Sequence, residues 1–154
     1  LIDGIVQTDP ARDLLKLVCV ERHHATGNVG VGLIHGFGLQ RGAVASSIAH
    51  DAHNIVAIGT NDADLLLAIQ AVIDLQSGLA AVADGQLLAT MALPIAGILS
   101  DQPLEVAAAE YATMEATAHA LGSTLHSPFG LLAFMALSVI PEARVTDRGF
   151  VTVG

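Results

Sequence analysis

The apolar residues of this chain come in short runs that proline, glycine or polar residues interrupt. The two longest runs cover residues 87–99, which Pro94 divides, and residues 131–140. A helix needs about 20 apolar residues to cross a bilayer, so neither run predicts a membrane span. With 154 residues, the sequence predicts one domain in which short strands and helices share a core.

Turn and capping residues divide the chain into strands, helices and hairpins. Residues 13–24 fit either a strand or a helix, and the turn signal that follows them favours a strand. We expect Gly78 and Gly122 to end the two longer helices, and Ser100 or Asp101 to open the second. The predicted elements are strands over 29–39, 43–49 and 54–59; helices over 60–78 and 100–122; a shorter apolar helix or buried segment over 127–141; and hairpins over 79–93 and 142–153, with Asp84-Gly85 at the tip of the first. This order predicts an α+β fold, with a mixed or antiparallel β-sheet and helices packed on it.

Charge and cysteine content exclude several classes of protein. Fifteen acidic and six basic residues give a net charge of −9, which disfavours nucleic acid as a partner. Cys19 is the single cysteine, so no disulfide forms within the chain, and we expect a buried, unreactive thiol. No export leader is visible at the start, and a cytoplasmic protein is predicted.

The composition predicts a surface that another protein domain covers. Hydrophobic residues make up 53% of the chain and the mean hydropathy is +0.61, although aromatic residues make up only 3%. We expect the surplus apolar surface to contact another domain or a second subunit, as in a homo-oligomer. The chain starts with Leu1 rather than Met, and we expect it to be a piece of a longer polypeptide.

Two motifs suggest chemistry and fail on their spacing. The glycine-rich segment 27–42 does not match G-x-G-x-x-G, and no Lys-Ser/Thr pair follows it, so it does not predict a phosphate-binding loop. Its glycines are more typical of a backbone that lies close to another strand. Ser46 and Ser47 precede His50 and Asp51, but no G-x-S-x-G elbow is present. Sequence proximity alone does not make a serine triad.

The stretch AHDAHN, residues 49–54, concentrates groups that bind metals or transfer protons. Its four polar side chains are those of His50, Asp51, His53 and Asn54. Imidazole and carboxylate together suit zinc, manganese or iron, so His50, Asp51 and His53 could form a small autonomous metal site. A hydrogen-bonded structural turn explains the same residues. In a third interpretation, the four residues support a site that another domain builds.

The remaining histidines carry no predicted function. His35 lies in an apolar strand and is expected to be a satisfied core residue. His119 is predicted on an exposed helix face and His126 in a loop.

Three segments of the sequence together resemble one protein family. They are ERHHATGNVGVGLIHGFGLQRGAVASSIAHDAHNIVAIGTND (21–62), LPIAGILSDQP (93–103) and IPEARVTDRGFV (140–151). In this order they resemble the C-terminal domain of bacterial adenine deaminase, in the amidohydrolase superfamily. The chain is expected to be a single domain, 1–154, and the likeness covers nearly all of it, from about Asp13 to Val153. Ala52 stands where the family usually has serine, and Ser138 where proline is common.

The resemblance implies a function for a longer parent protein. Such a protein would convert adenine and water into hypoxanthine and ammonia, using water activated by a divalent metal (Mn²⁺ or Fe²⁺, possibly Zn²⁺) in an N-terminal catalytic barrel domain. The H-x-H ligand pair of that barrel is absent from this sequence, so the metal ligands are expected mainly outside this chain. The fragment alone is then predicted to be inactive and to serve as an accessory domain. His50, Asp51, His53 and Asn54 would support the catalytic site from the domain junction. A non-catalytic dimerisation or domain-closure module remains an alternative.

Overall fold

A six-stranded antiparallel sheet lies at the centre of the chain. The computed structural model describes residues 6–153. The strands are β1 (Leu15–Val20), β2 (Val29–Ile34), β3 (Ala43–Ser46), β4 (Ile55–Gly59), β5 (Gly78–Ala83) and β6 (Gln86–Ala92). They lie in the order β2-β1-β4-β3-β5-β6, and every neighbouring pair is antiparallel. The α+β prediction is therefore confirmed, and the sheet is antiparallel rather than mixed.

Helices and a second small sheet cover this central sheet. A 3-10 turn, Pro10–Arg12, precedes β1. The helices are α1 (Asp62–Asp74), α2 (Leu104–Ala120) and α3 (Pro128–Leu132), and the hairpin is β7 (Ala143–Thr146) with β8 (Gly149–Thr152). Across residues 6–153, none of the helices is long and apolar enough to cross a membrane.

The sheet has a buried apolar layer on each face. On one face, Leu65, Ile69 and Val72 of α1 pack against Ala57 and Val82. On the other face, side chains from α2, α3 and β7 complete a larger core. Its fully buried members include Leu15, Val44, Ile58, Met114, Leu121 and Leu132. Because both faces are covered, β4 and β5 are buried at every position, which explains their uninterrupted apolar runs.

Two glycines of β2 let the β7–β8 hairpin approach the sheet closely. A side chain at Gly30 would place its Cβ 1.8 Å from the carbonyl oxygen of Thr146, and one at Gly32 would lie 2.5 Å from a methyl group of Val145. No larger residue fits at Gly30 without moving the hairpin backbone. The prediction that these glycines allow close backbone approach is confirmed at this contact.

Several predictions of detail are wrong. Gly78 does not end α1, because the helix stops at Asp74 and Gly78 begins β5. Neither Ser100 nor Asp101 opens α2, which starts after Pro103 at Leu104. The strand predicted over 29–39 ends at Ile34, and His35 is exposed rather than part of the core. His35 follows the last paired residue of β2 and has left the covered part of the sheet.

Candidate functional site

The residues 49–54 form a tight turn between β3 and β4. The backbone N–H of His53 donates to the carbonyl of Ala49 at 2.6 Å, and that of His50 donates to the carbonyl of Ala133 at 2.8 Å. The second bond ties the turn to the segment that follows α3. Since this backbone turns, the alternation expected of a strand does not decide where the polar side chains point.

Arg22, two residues after the end of β1, holds the turn through hydrogen bonds. Its Nε donates to the carbonyl of His53 at 2.5 Å, while its two terminal nitrogens donate to Ser77 Oγ and the Ala96 carbonyl, each at 3.0 Å. One guanidinium therefore connects three separate loops. Gly97 leaves room for it, because a Cβ there would lie 2.4 Å from Arg22 Nη2. His53 has a φ of +50°, which non-glycine residues rarely adopt, and the bond to its carbonyl holds it there.

The loop after Arg22 holds the same turn at a second point. His23 Nε2 lies 2.6 Å from the carbonyl oxygen of Ala52. Glu21 fixes this loop by accepting from the backbone N–H groups of His24 and Thr26, at 2.8 and 3.1 Å. Desolvation acts to raise the pKa of Glu21, but hydrogen bonds from Thr26, His24 and His23 outweigh it and lower the pKa to about 2. Glu21 is therefore ionised throughout the physiological range.

The surroundings of His53 favour the neutral form of its imidazole. The backbone N–H of Ala49 lies 3.3 Å from His53 Nδ1 and donates to it, so the ring proton is on Nε2. Burial lowers the pKa of His53, and the nearby His50 and Arg22 lower it further against the opposing effect of Asp51. A neutral imidazole with a fixed Nε2–H can donate a hydrogen bond but does not carry a charge.

An open cleft of about 500 Å³ lies beside the turn. His50, Asp51 and Asn54 line it, whereas His53 does not. His50 also packs against Phe134, with ring centroids 4.7 Å apart. The other side of the cleft is formed by the segment after α3 and by the β7–β8 hairpin, through Ala136, Leu137, Ser138, Val139, Thr146, Asp147, Arg148 and Val151.

Asp147 meets Asn54 at this cleft. Asn54 Nδ2 donates to Asp147 Oδ1 at 3.2 Å, and Asn28 Nδ2 donates to Asp147 Oδ2 at 3.4 Å. Asn54 is only 5% exposed, and its Oδ1 has no hydrogen-bond donor among residues 6–153.

Cys19 lines the same cleft. Burial, and then the charge of Asp147, raise the pKa of its thiol to about 11 against a hydrogen bond from Asn54. The expected burial of Cys19 is confirmed, and a raised pKa disfavours the thiolate that a reactive cysteine needs.

The geometry does not assemble a metal site from these residues. In the described part of the chain, no three His, Cys, Asp or Glu side chains are placed to hold one ion. His50 and His53 lie with ring centroids 5.6 Å apart in an edge-on arrangement, and only His50 of the two faces the cleft. An autonomous site made of His50, Asp51 and His53 is therefore not what this fold supports.

Arg22 and Asp147 are the two residues that the sequence analysis missed. The sequence predicts a hairpin over 142–153, and Asp147 does lie in the turn between β7 and β8. Its partner Asn54 is 93 residues away, and the partners of Arg22 lie 31, 55 and 74 residues away. A charged residue at the end of an apolar strand was the available signal for Arg22, but it does not identify partners.

Comparison with known proteins gives one consistent result. The family model described as the adenine deaminase C-terminal domain matches residues 1–154. The chain is 51% identical over 151 residues to an adenine deaminase of Dehalococcoides mccartyi and 50% identical to one of Desulfatibacillum aliphaticivorans. An adenine deaminase of Methanothrix thermoacetophila is 48% identical. Each alignment covers 98% of this chain but only 26% of the relative, so the chain spans about a quarter of the length of these proteins.

Proposed function

The chain belongs to the adenine deaminase C-terminal domain family, and we propose that it is the accessory domain of an adenine deaminase. The parent protein would be a hydrolase that converts adenine and water into hypoxanthine and ammonia. The observation that supports a role at the site is the convergence of His50, Asp51, Asn54 and Asp147 on one open cleft. These groups come from two distant segments, yet they meet where an added domain can cover them.

The catalytic centre itself belongs to the part of the parent outside this chain. Residues 6–153 contain no three metal-binding side chains placed around one point, so the lining of the cleft does not fit a metal ion held by these residues alone. We propose that an N-terminal barrel domain holds the divalent metal, Mn²⁺ or Fe²⁺ with Zn²⁺ as a further candidate. The relatives are about four times as long as this chain, which leaves room for such a domain.

The residues of this chain would shape and shield the site. Asp51 is exposed at the cleft, where its carboxylate can accept a hydrogen bond from a group opposite. His50 is packed on Phe134, which restricts its ring and keeps an apolar wall next to the polar floor. Arg22 and His23 fix the backbone of the turn. A fixed backbone and restricted side-chain rotamers hold the functional groups in one orientation. Such orientation contributes to the rate of a reaction.

Exposed apolar residues favour a second candidate function, that of a dimerisation or domain-closure module. Val29 and Val31 of β2 are 51% and 54% exposed, and Leu66 of α1 is 66% exposed. These side chains border one groove between β2 and α1, away from the residues of the turn. A homo-oligomer formed through this groove would involve the domain without any contribution to the chemistry.

Substitutions at the turn in the full-length protein separate the two functions. We expect His53→Ala and Asp51→Asn to lower kcat for adenine by about tenfold or more, because each disturbs the position of a group at the cleft. Metal content should stay unchanged, since the ligands lie elsewhere. The matched control is His126→Ala, an exposed loop histidine. Unchanged turnover together with unchanged metal content in both variants would reduce the turn to a structural element.

A further inference from the structure

The floor of the cleft presents acceptors that lack a donor of opposite charge. Within residues 6–153, both carboxylate oxygens of Asp147 accept hydrogen bonds, but only from the neutral side-chain amides of Asn54 and Asn28. Next to them, the buried Oδ1 of Asn54 accepts nothing from residues 6–153. Amide groups solvate a carboxylate without cancelling its charge, and a half-buried charge is most stable when a cation pairs with it.

The basic residues of this chain do not supply that cation. There are six in the sequence, and all of them lie in the described segment. Arg12, Lys16 and Arg41 form ion pairs with Asp9, Asp62 and Asp84, and Arg22 is committed to the turn. Arg144 donates to its neighbouring carbonyl of Ala143 at 2.6 Å. Arg148 lies exposed at the cleft, and no ion pair joins it to Asp147 within residues 6–153.

We propose that the cleft receives the guanidinium or ammonium group of an arginine or lysine from the remainder of the parent polypeptide, with Asp147 as its acceptor and Asn54 Oδ1 beside it. This proposal rests on the proposed function, in which a preceding domain packs on this face. The net charge of −9 attracts a basic partner surface. Leu137, Val139 and Val151 provide an apolar wall along which the aliphatic part of such a side chain can pack.

The cleft has enough volume to hold one long side chain. About 500 Å³ is within the range of pockets that hold small organic groups. The occupant is assigned to the same polypeptide because about three-quarters of the length of the relatives lies outside this chain. A cation tethered in this way has a high effective concentration at the cleft, which a free metabolite would not match.

Hydrogen–deuterium exchange on the full-length protein tests the proposal. In Asp147→Asn, peptides covering residues 49–54 and 143–152 should exchange about tenfold faster or more than in the wild type, because the charged hydrogen bond is lost. The difference should shrink in 0.5 M salt, where the attraction is screened. Asp147→Lys should accelerate exchange at least as much, by repulsion. The control Asp101→Asn, an exposed loop position, should leave both peptides unchanged.

Other results would overturn the proposal. Exchange rates in Asp147→Asn equal to those of the wild type would show that no cation from the polypeptide is bound. A large rise in protection when free arginine is added to the wild-type protein would show that the cleft is open and takes a cation from solution. Deaminase activity is measured on the same samples. If the wild type does not deaminate adenine, the proposed function fails, while the exchange data still decide what occupies the cleft.

Discussion

Asp64 and Asp147 are carboxylates that are buried and partly buried, and they differ in how their hydrogen bonds are satisfied. Asp64, in the first turn of α1, is 3% exposed. It accepts from Asn61 Nδ2 at 2.9 Å and from the backbone N–H groups of Gly85 and Asp84 at 2.8 and 3.2 Å. These bonds fix the β5–β6 turn against the start of the helix. Among the described residues, Asp147 accepts two bonds, at 3.2 and 3.4 Å, both from side-chain amides.

The difference shows which polar cluster is complete within the chain. Burial acts to raise the pKa of Asp64, but the hydrogen bonds from Asn61, Gly85 and Asp84 outweigh it, and the pKa is lowered. Asp64 therefore stays ionised with its acceptor positions filled, as in a structural element. At the cleft, Asn54 Oδ1 lacks a donor among the described residues. A satisfied network indicates structure, and an unsatisfied one next to an open cleft indicates binding.

The largest effect is expected from Asp64→Asn. An asparagine can accept fewer of these bonds and brings an N–H group towards the backbone donors of Gly85 and Asp84, so we expect the free energy of unfolding to fall by about 3 kcal/mol. Urea denaturation at pH 7 measures this loss. Stability from a carboxylate with a lowered pKa is present above its ordinary value of 3.8 and lost as the pH falls below it, so the gap between variant and wild type should narrow below about pH 4.

A matched control for this comparison is Asp74→Asn, at the exposed end of α1. It should change the free energy of unfolding by less than about 0.5 kcal/mol. If Asp64→Asn were equally harmless, the distinction between a complete and an incomplete carboxylate cluster would be lost.

An intermediate effect is expected from Arg22→Lys. Lysine keeps the charge but cannot donate to three loops through one planar group, so the bonds to His53, Ser77 and Ala96 should not all survive. We expect a loss of about 1–2 kcal/mol in the free energy of unfolding. In the full-length protein, kcat should fall more than KM rises. The comparison variant is Arg12→Lys, whose side chain is 79% exposed. Equal kinetics in both variants would show that Arg22 does not position the turn.

The smallest effect is expected from His53→Asn, measured as a pH dependence. Asparagine tolerates the left-handed backbone at this position, so the turn should persist. Because the pKa of His53 is lowered in the folded state, the unfolded wild type binds a proton more readily as the pH falls below 6.5, and stability decreases. The variant should lose less stability over this interval in thermal unfolding scans. Identical pH slopes would indicate that His53 is not held neutral by the fold.

Local signals in the sequence predicted much of the fold. The Asp84-Gly85 tip of the hairpin is confirmed. Asn61, a residue type that favours the N-cap position, caps α1 by accepting from the backbone N–H of Asp64. These features depend on neighbours within a few residues. The misplacement of Gly78 has a physical cause, since its φ of +156° and the 2.2 Å approach of a Cβ to the carbonyl oxygen of Met91 require glycine in a strand pair rather than at a helix end.

The cleft could not be predicted from local sequence patterns alone, because its residues come from distant segments. His50, Asp51 and Asn54 could be selected because they are polar residues gathered in one short stretch. That His53 faces away from the cleft follows from the bond between its Nδ1 and the backbone of Ala49, and this bond exists only because the chain turns. Asp147 arrives through the packing of the β7–β8 hairpin on two glycines of β2, a contact between segments more than 100 residues apart.

The packing of the β7–β8 hairpin on Gly30 and Gly32 has a consequence for the order of events during protein synthesis. The hairpin is the last paired element of residues 6–153, whereas β2, on which it packs, is made early. Until the ribosome has released β8, the turn 49–54 is complete in sequence but faces solvent on the side that Asp147 will occupy. A nascent chain arrested before residue 143 should therefore expose this region to proteases and chaperones, and should become protected there only once the β7–β8 hairpin has been made.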